Sequence, residues 1–232
     1  MDDRLQTAYA GNTGSGALAV ERNRVLRNTY WLLALSLVPT VLGAWIGVKT
    51  GIMASMGMGM STIIFFAGAF GLMFAIEKFK DSGVGVALLL GFTFFMGLML
   101  SRLLAAVLGF SNGTTLIMTA FGGTAAVFFA MASLASVIKR DLSNMGKFLF
   151  VGAIMLLVVG IINLFVQSSA LMVTLSVIAI GLFSAFMLYD LKRVIDGGET
   201  NYVSATLAIY LDIYNVFQSL LALLGIFGGE RE

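Results

Sequence analysis

Neither cysteine nor histidine occurs in the 232 residues of this chain. Without cysteine there are no disulfides and no thiolate chemistry, and the redox compartment stays open. Without histidine the commonest general base, metal ligand and pH switch are missing. Any response to pH must come from carboxylates, tyrosines or lysines. Proline occurs once, at Pro39, and charged residues make up only 11% of the chain, against about 25% in a soluble domain. What fills the space is hydrocarbon: 59% of residues are hydrophobic and the mean hydropathy is +0.98. That composition belongs in a lipid bilayer. The net charge of +2 is too small to suggest nucleic acid, and the basic residues are scattered through loops. There is no Gly-rich phosphate loop and no HExxH, so the chain is expected not to be an enzyme and to hold no metal or cofactor. The 14 methionines and 19 phenylalanines read as packing material.

A spanning helix needs roughly 20 mainly apolar residues. Seven stretches qualify: Tyr30–Val48, Ile52–Ile76, Val84–Leu100, Thr114–Ile138, Phe148–Val166, Ala170–Tyr189 and Tyr202–Phe227. The fold class expected is an all-α integral membrane bundle of seven helices. Residues 1–28 are polar and are expected as a flexible cytoplasmic tail, with 29–232 as the transmembrane domain. Pro39 lies mid-span and is expected to kink the first helix. Trp31 and Trp45 suit the two interfaces. Gly43 with Gly47, then Gly85, Gly91 and Gly97, and the pair Gly122-Gly123 recur at spacings that let helices approach closely. Placing the N-terminus inside collects eleven of the 14 Lys and Arg on the inner face, leaving Lys49, Arg102 and Arg231 outside. By the positive-inside rule the N-terminus is then cytoplasmic and the C-terminus lies across the membrane.

Two carboxylates stand out against this background. Asp212 falls ten residues into the last span, about 15 Å from its start at 1.5 Å per residue. Ser204, Ala208, Asn215 and Ser219 share its helical face, and a polar stripe of that kind faces protein or water rather than lipid. Asp190 closes the sixth apolar run, and Gly197-Gly198 is the first firm stop signal after it, so that helix is expected to continue past Asp190. The two helices are antiparallel neighbours joined by a short loop, which allows the carboxyls to meet and to share a proton. The bland alternatives are an interfacial Asp190 paired with Arg193 at i+3, and an Asp212 that merely glues helices by hydrogen bonds. A further alternative is an intramembrane aspartyl protease, since Tyr189-Asp190 echoes the Tyr-Asp of that class. Its second aspartate, however, lies in Gly-x-Gly-Asp, where this chain has Tyr210-Leu-Asp212.

Several longer strings carry a family resemblance: Val25-Leu-Arg-Asn-Thr-Tyr-Trp-Leu-Leu33, Phe121-Gly-Gly-Thr-Ala125, Lys139-Arg-Asp-Leu-Ser143, Gly197-Gly-Glu-Thr-Asn-Tyr202 and Ile209-Tyr-Leu-Asp-Ile-Tyr-Asn215. On these the chain resembles the transmembrane Bax inhibitor motif family, in its bacterial YccA-like branch. The resemblance implies a seven-helix fold whose last helix is enclosed by the other six. It implies that Asp190 and Asp212 form a pH-sensing dyad linked to a leak of calcium, or another cation, down its gradient. Channel-like members also carry an arginine at the inner end of the second helix that pairs with the dyad when closed. Here Glu77-Lys-Phe-Lys80 occupies that region, which makes Lys78 or Lys80 the expected substitute, with Glu77, Arg193 and Asn215 as possible supporting groups. The YccA-like branch further implies a multi-pass protein of the bacterial inner membrane, C-terminus periplasmic. Such proteins modulate the membrane-bound FtsH protease through the N-terminal tail.

Overall fold

The computed structural model describes residues 3–230, with side chains from Val20 onward. It has eight helices and, among the described residues, no strand: α1 Asp3–Thr50, α2 Ile52–Ser55, α3 Met58–Phe79, α4 Gly83–Leu108, α5 Gly113–Val137, α6 Met145–Val166, α7 Ser169–Asp196 and α8 Tyr202–Gly228. Seven of them are long and apolar enough to cross a membrane, the first counted over Val20–Thr50. Large apolar side chains such as Phe74, Phe148, Phe165 and Phe227 point outward, which is tenable only where lipid is the solvent. Trp31 and Trp45 are both exposed, about 21 Å apart along α1 at 1.5 Å per residue, a spacing that suits the two interfaces.

Three boundaries differ from the hydropathy reading. The second span does not begin at Ile52. Gly51 is left-handed at φ 63°, Ile52–Ser55 forms a single turn, and Met56 is extended before α3 starts after Gly57. A hydropathy window sees apolar residues on both sides and misses the two glycines, 51 and 57, at which the helix is broken. The third span does not end at Leu100. Ser101 is buried with its hydroxyl on the Leu98 carbonyl at 2.6 Å, Arg102 reaches Ser61 Oγ at 3.4 Å, and α4 runs on to Leu108. A hydroxyl bonded within its own helix and an arginine on the outer face interrupt nothing. At the N-terminus, helical backbone continues through residue 28, and Val25 is already buried. Packing thus begins inside the segment read as a tail, while the side chains of residues 1–19 lie outside those described. The helix likewise runs through Pro39 without a break.

α8 sits at the centre, packed against α1, α4, α5 and α7, with α3 in lighter contact, while α6 joins through α7. Its burial explains why it is the span with the most polar character. Tyr210 and Tyr214 fix one face, their hydroxyls meeting Thr40 Oγ1 at 2.9 Å and the Met96 carbonyl at 3.2 Å. The closest helix pair is α1 with α4, and here the glycine spacing divides cleanly. A Cβ at Gly43 would strike the Phe94 carbonyl, and one at Gly97 would strike the Thr40 carbonyl. By contrast, Gly91 and Gly122 face open space. Only some of the glycines read as packing sites are therefore used as such.

Candidate functional site: a buried carboxyl pair

α7 continues past Asp190 to Asp196 and ends on Gly197, left-handed at φ 79°, whose amide meets the Val194 carbonyl. Glycine is the residue that takes this conformation without strain, and it lets the chain reverse within a few residues. Asn201 then caps α8, its Oδ1 accepting from the amides of Val203 at 2.9 Å and Ser204 at 3.2 Å. These two ends set the register of an antiparallel pair. Asp190 lies six residues before the end of α7 and Asp212 ten residues into α8, and the pairing brings them side by side.

Their carboxyl groups lie close enough to interact. Asp212 is 4% exposed, and its Oδ2 is buried with no donor facing it. A carboxylate only accepts, so a bond between the two exists only when one carries a proton. The second ionisation would place two charges together in a low-dielectric interior where, among the described residues, no cation pairs with Asp212. The arrangement can bind and release a proton, and its two states differ by a repulsion across the α7–α8 contact.

Arg193, one turn beyond Asp190, is the cation that reaches the pair. Its Nη1 is 3.7 Å from Asp190 Oδ1, and its Nη2 donates to Glu199 Oε2 at 3.3 Å. The other residues singled out in the sequence lie elsewhere. Lys80 is bound to Glu77, which also accepts from Ser204 Oγ at 2.9 Å; the Glu77 carboxylate raises the Lys80 ammonium above its ordinary value. Lys78 sits over the ring of Phe79. Asn215 donates to the Leu211 carbonyl of its own helix. Among the described residues, Lys80 is thus held by Glu77 and Lys78 by Phe79, and it is Arg193 of α7 that pairs with Asp190.

Glu199 and Asn201 went unremarked in the sequence as site residues. Asn201 does double duty, because its amide also donates to Asp81 Oδ1 at 2.8 Å and to the Lys80 carbonyl at 3.3 Å. An Asn directly before an apolar run is a helix-start signal, but nothing local points to its long-range contact with the α3–α4 loop. Replacing Asn201 with Ala should cost about 1–2 kcal/mol, the cap with its helix-end amides supplying most of it. Asn201→Ser should recover the capping share alone. Thermal unfolding of detergent-solubilised protein measures both; equal melting temperatures for Ala and Ser would show that the cap carries nothing.

Seven spanning helices, with α8 at the centre and a carboxyl pair between it and α7, define a polytopic membrane protein. Residues 22–229 match the family described as Inhibitor of apoptosis-promoting Bax1, and the chain belongs to that family. It is 36% identical to an uncharacterized membrane protein of Vibrio cholerae, over 96% of this chain and 98% of that one. It is 36% identical to an uncharacterized Neisseria meningitidis protein over 92% and 96% of the two chains. It is also similar to the Modulator of FtsH protease YccA of Escherichia coli, 35% identical over 88% of this chain and 90% of that one.

Proposed function

We propose that this chain is a proton-responsive protein of the bacterial inner membrane, in which the Asp190–Asp212 pair gates a cation leak with calcium as the cargo. The observation that carries this reading is the proximity of two carboxyl groups in a buried helix interface where, among the described residues, no cation pairs with Asp212. With one proton shared, α7 and α8 are held together. With none, repulsion drives the helices apart and opens a path through the bundle. The excess of Lys and Arg in one set of loops supports an N-terminus in the cytoplasm and a C-terminus across the membrane. Calcium flux into liposomes should rise with pH over a range where the lipid alone shows no change; a flat profile overturns the gating.

A second reading is supported by the named Escherichia coli relative: the chain engages FtsH, with the N-terminal segment as the handle. The two roles are compatible. Deleting residues 2–20 should lengthen the lifetime of the protein in cells and abolish its effect on FtsH turnover of other substrates. An unaltered lifetime rejects the handle.

A further inference from the structure

The α7–α8 loop is wrapped around Arg193. The Arg193 carbonyl accepts the amides of Gly198 at 2.8 Å and Glu199 at 3.2 Å, while its guanidinium holds the Glu199 side chain. Glu199 Oε1 in turn accepts the Asn201 amide at 2.9 Å, and Asn201 reaches across to Asp81 and Lys80 in the loop between α3 and α4. A continuous line of polar contacts therefore runs from the buried pair to the surface: Asp212, Asp190, Arg193, Glu199, Asn201, Asp81. One guanidinium stands between two carboxyl groups, and its two distances are unequal. The 3.3 Å contact to Glu199 is a hydrogen bond, whereas 3.7 Å to Asp190 is an ion pair beyond hydrogen-bond length.

We infer that Arg193 is a positioning residue that passes the charge state of the Asp190–Asp212 pair to the junction of the α3–α4 and α7–α8 loops. The inference rests on the reading that the pair exchanges a proton. With the proton shared, Asp190 attracts Arg193 weakly and the guanidinium stays on Glu199, which keeps Asn201 clasped to Asp81. When the pair loses its proton, Asp190 carries a full charge at the desolvated end of the line. The Coulomb attraction of Arg193 to a fully charged Asp190 is stronger where the effective dielectric is lower, so Arg193 moves inward and releases Glu199. The loop then loses the anchor that orients Asn201.

Few other charges enter this balance. On α7, Lys192 is committed to Asp196 at 2.7 Å and the Tyr189 ring packs beside the guanidinium. α8 supplies Asp212 alone, and α5 has no charged residue. α1 brings Arg22 against Gly197 at the loop. α6 meets this part of α7 through Gly146 under Tyr189. α3 faces the junction with Glu77, which is held by Lys80 and Ser204.

The absence of cysteine makes the test clean. Lys78→Cys in the last turn of α3, beside the α3–α4 loop, and Thr200→Cys in the α7–α8 loop, both at exposed positions, take spin labels, and their distance distribution is read by pulsed electron resonance in nanodiscs across pH. Infrared absorption of the protonated carboxylic acid, assigned with Asp190→Asn and Asp212→Asn, reports the pair itself. The expected result is a loop distance that lengthens and broadens in step with loss of the acid band. In Arg193→Gln the band should still titrate while the pH-dependent change in distance is lost. Glu199→Gln, which leaves the pair and its arginine in place, should lose it as well. A loop that follows the band unchanged in both variants, or a wild-type loop that stays still while the band titrates, overturns the role of Arg193. If the band itself does not titrate, the proton-exchange reading falls, and this inference with it.

Discussion

Asp212→Asn should hold calcium flux at its low-pH level across the whole range in which wild-type flux climbs. Two unit charges about 4 Å apart repel by about 4 kcal/mol at an effective dielectric near 20. At 1.4 kcal/mol per tenfold change, that is close to a thousandfold shift in the balance between closed and open bundles. An asparagine at position 212 removes the second charge and supplies an amide that donates to Asp190 at every pH, so the α7–α8 contact persists. Asp190→Asn should behave in the same way. The double variant should add nothing to either single one, because the two groups act as one titrating unit. Flux from calcium-loaded liposomes, measured at stepwise pH, provides the check. A variant whose profile still overlays the wild type would remove the pair from the gate, leaving it as a structural contact between helices.

Gly97→Leu should be the most damaging single substitution outside the pair. A Cβ at this position already overlaps the Thr40 carbonyl, and Gly43 on the facing helix sits equally close to the Phe94 carbonyl. α1 and α4 therefore meet backbone to backbone, with no flexible side chain able to give way. In lipid, helix association depends on such close packing rather than on expulsion of water. Overpacking costs about 1–3 kcal/mol even in adaptable cores, and a leucine wedged between two backbones should reach at least the upper end. The expected outcome is a steep loss of folded protein in the membrane and a lower melting temperature in detergent. Gly91→Leu, six residues away on the same helix, meets open space and should leave both unchanged. Equal damage at the two positions would mean that helix propensity, not the α1–α4 crossing, sets the effect.

How much of this was legible beforehand varies from element to element. The ends of α5, α6 and α8 fell within a few residues of the hydropathy boundaries, because polar loops and flanking glycines coincide there with the loss of apolar character. α7 ended at Gly197 as the paired glycines implied. The second and third spans were misjudged for a common reason. Hydropathy counts side chains, whereas helices stop where the backbone turns. Gly51 and Gly57 break an apolar stretch, and Ser101-Arg102 is polar without breaking anything. Asp190 and Asp212 were visible as candidates because charge is rare at membrane depth. The i+3 spacing of Asp190 and Arg193 was visible as well, and the two do pair. What the folded arrangement added was that Lys78, Lys80 and Asn215 lie on other partners.

Composition and spacing alone determined that this chain lives in a bilayer, crosses it seven times, and keeps two carboxyls in its last two helices. These are properties of transfer from water to lipid, which adds up residue by residue along the chain. Which glycines bear helix crossings and how Asn201 joins two distant loops were decided by tertiary structure. Those outcomes depend on where backbones from different parts of the chain come to lie, and no local pattern specifies that.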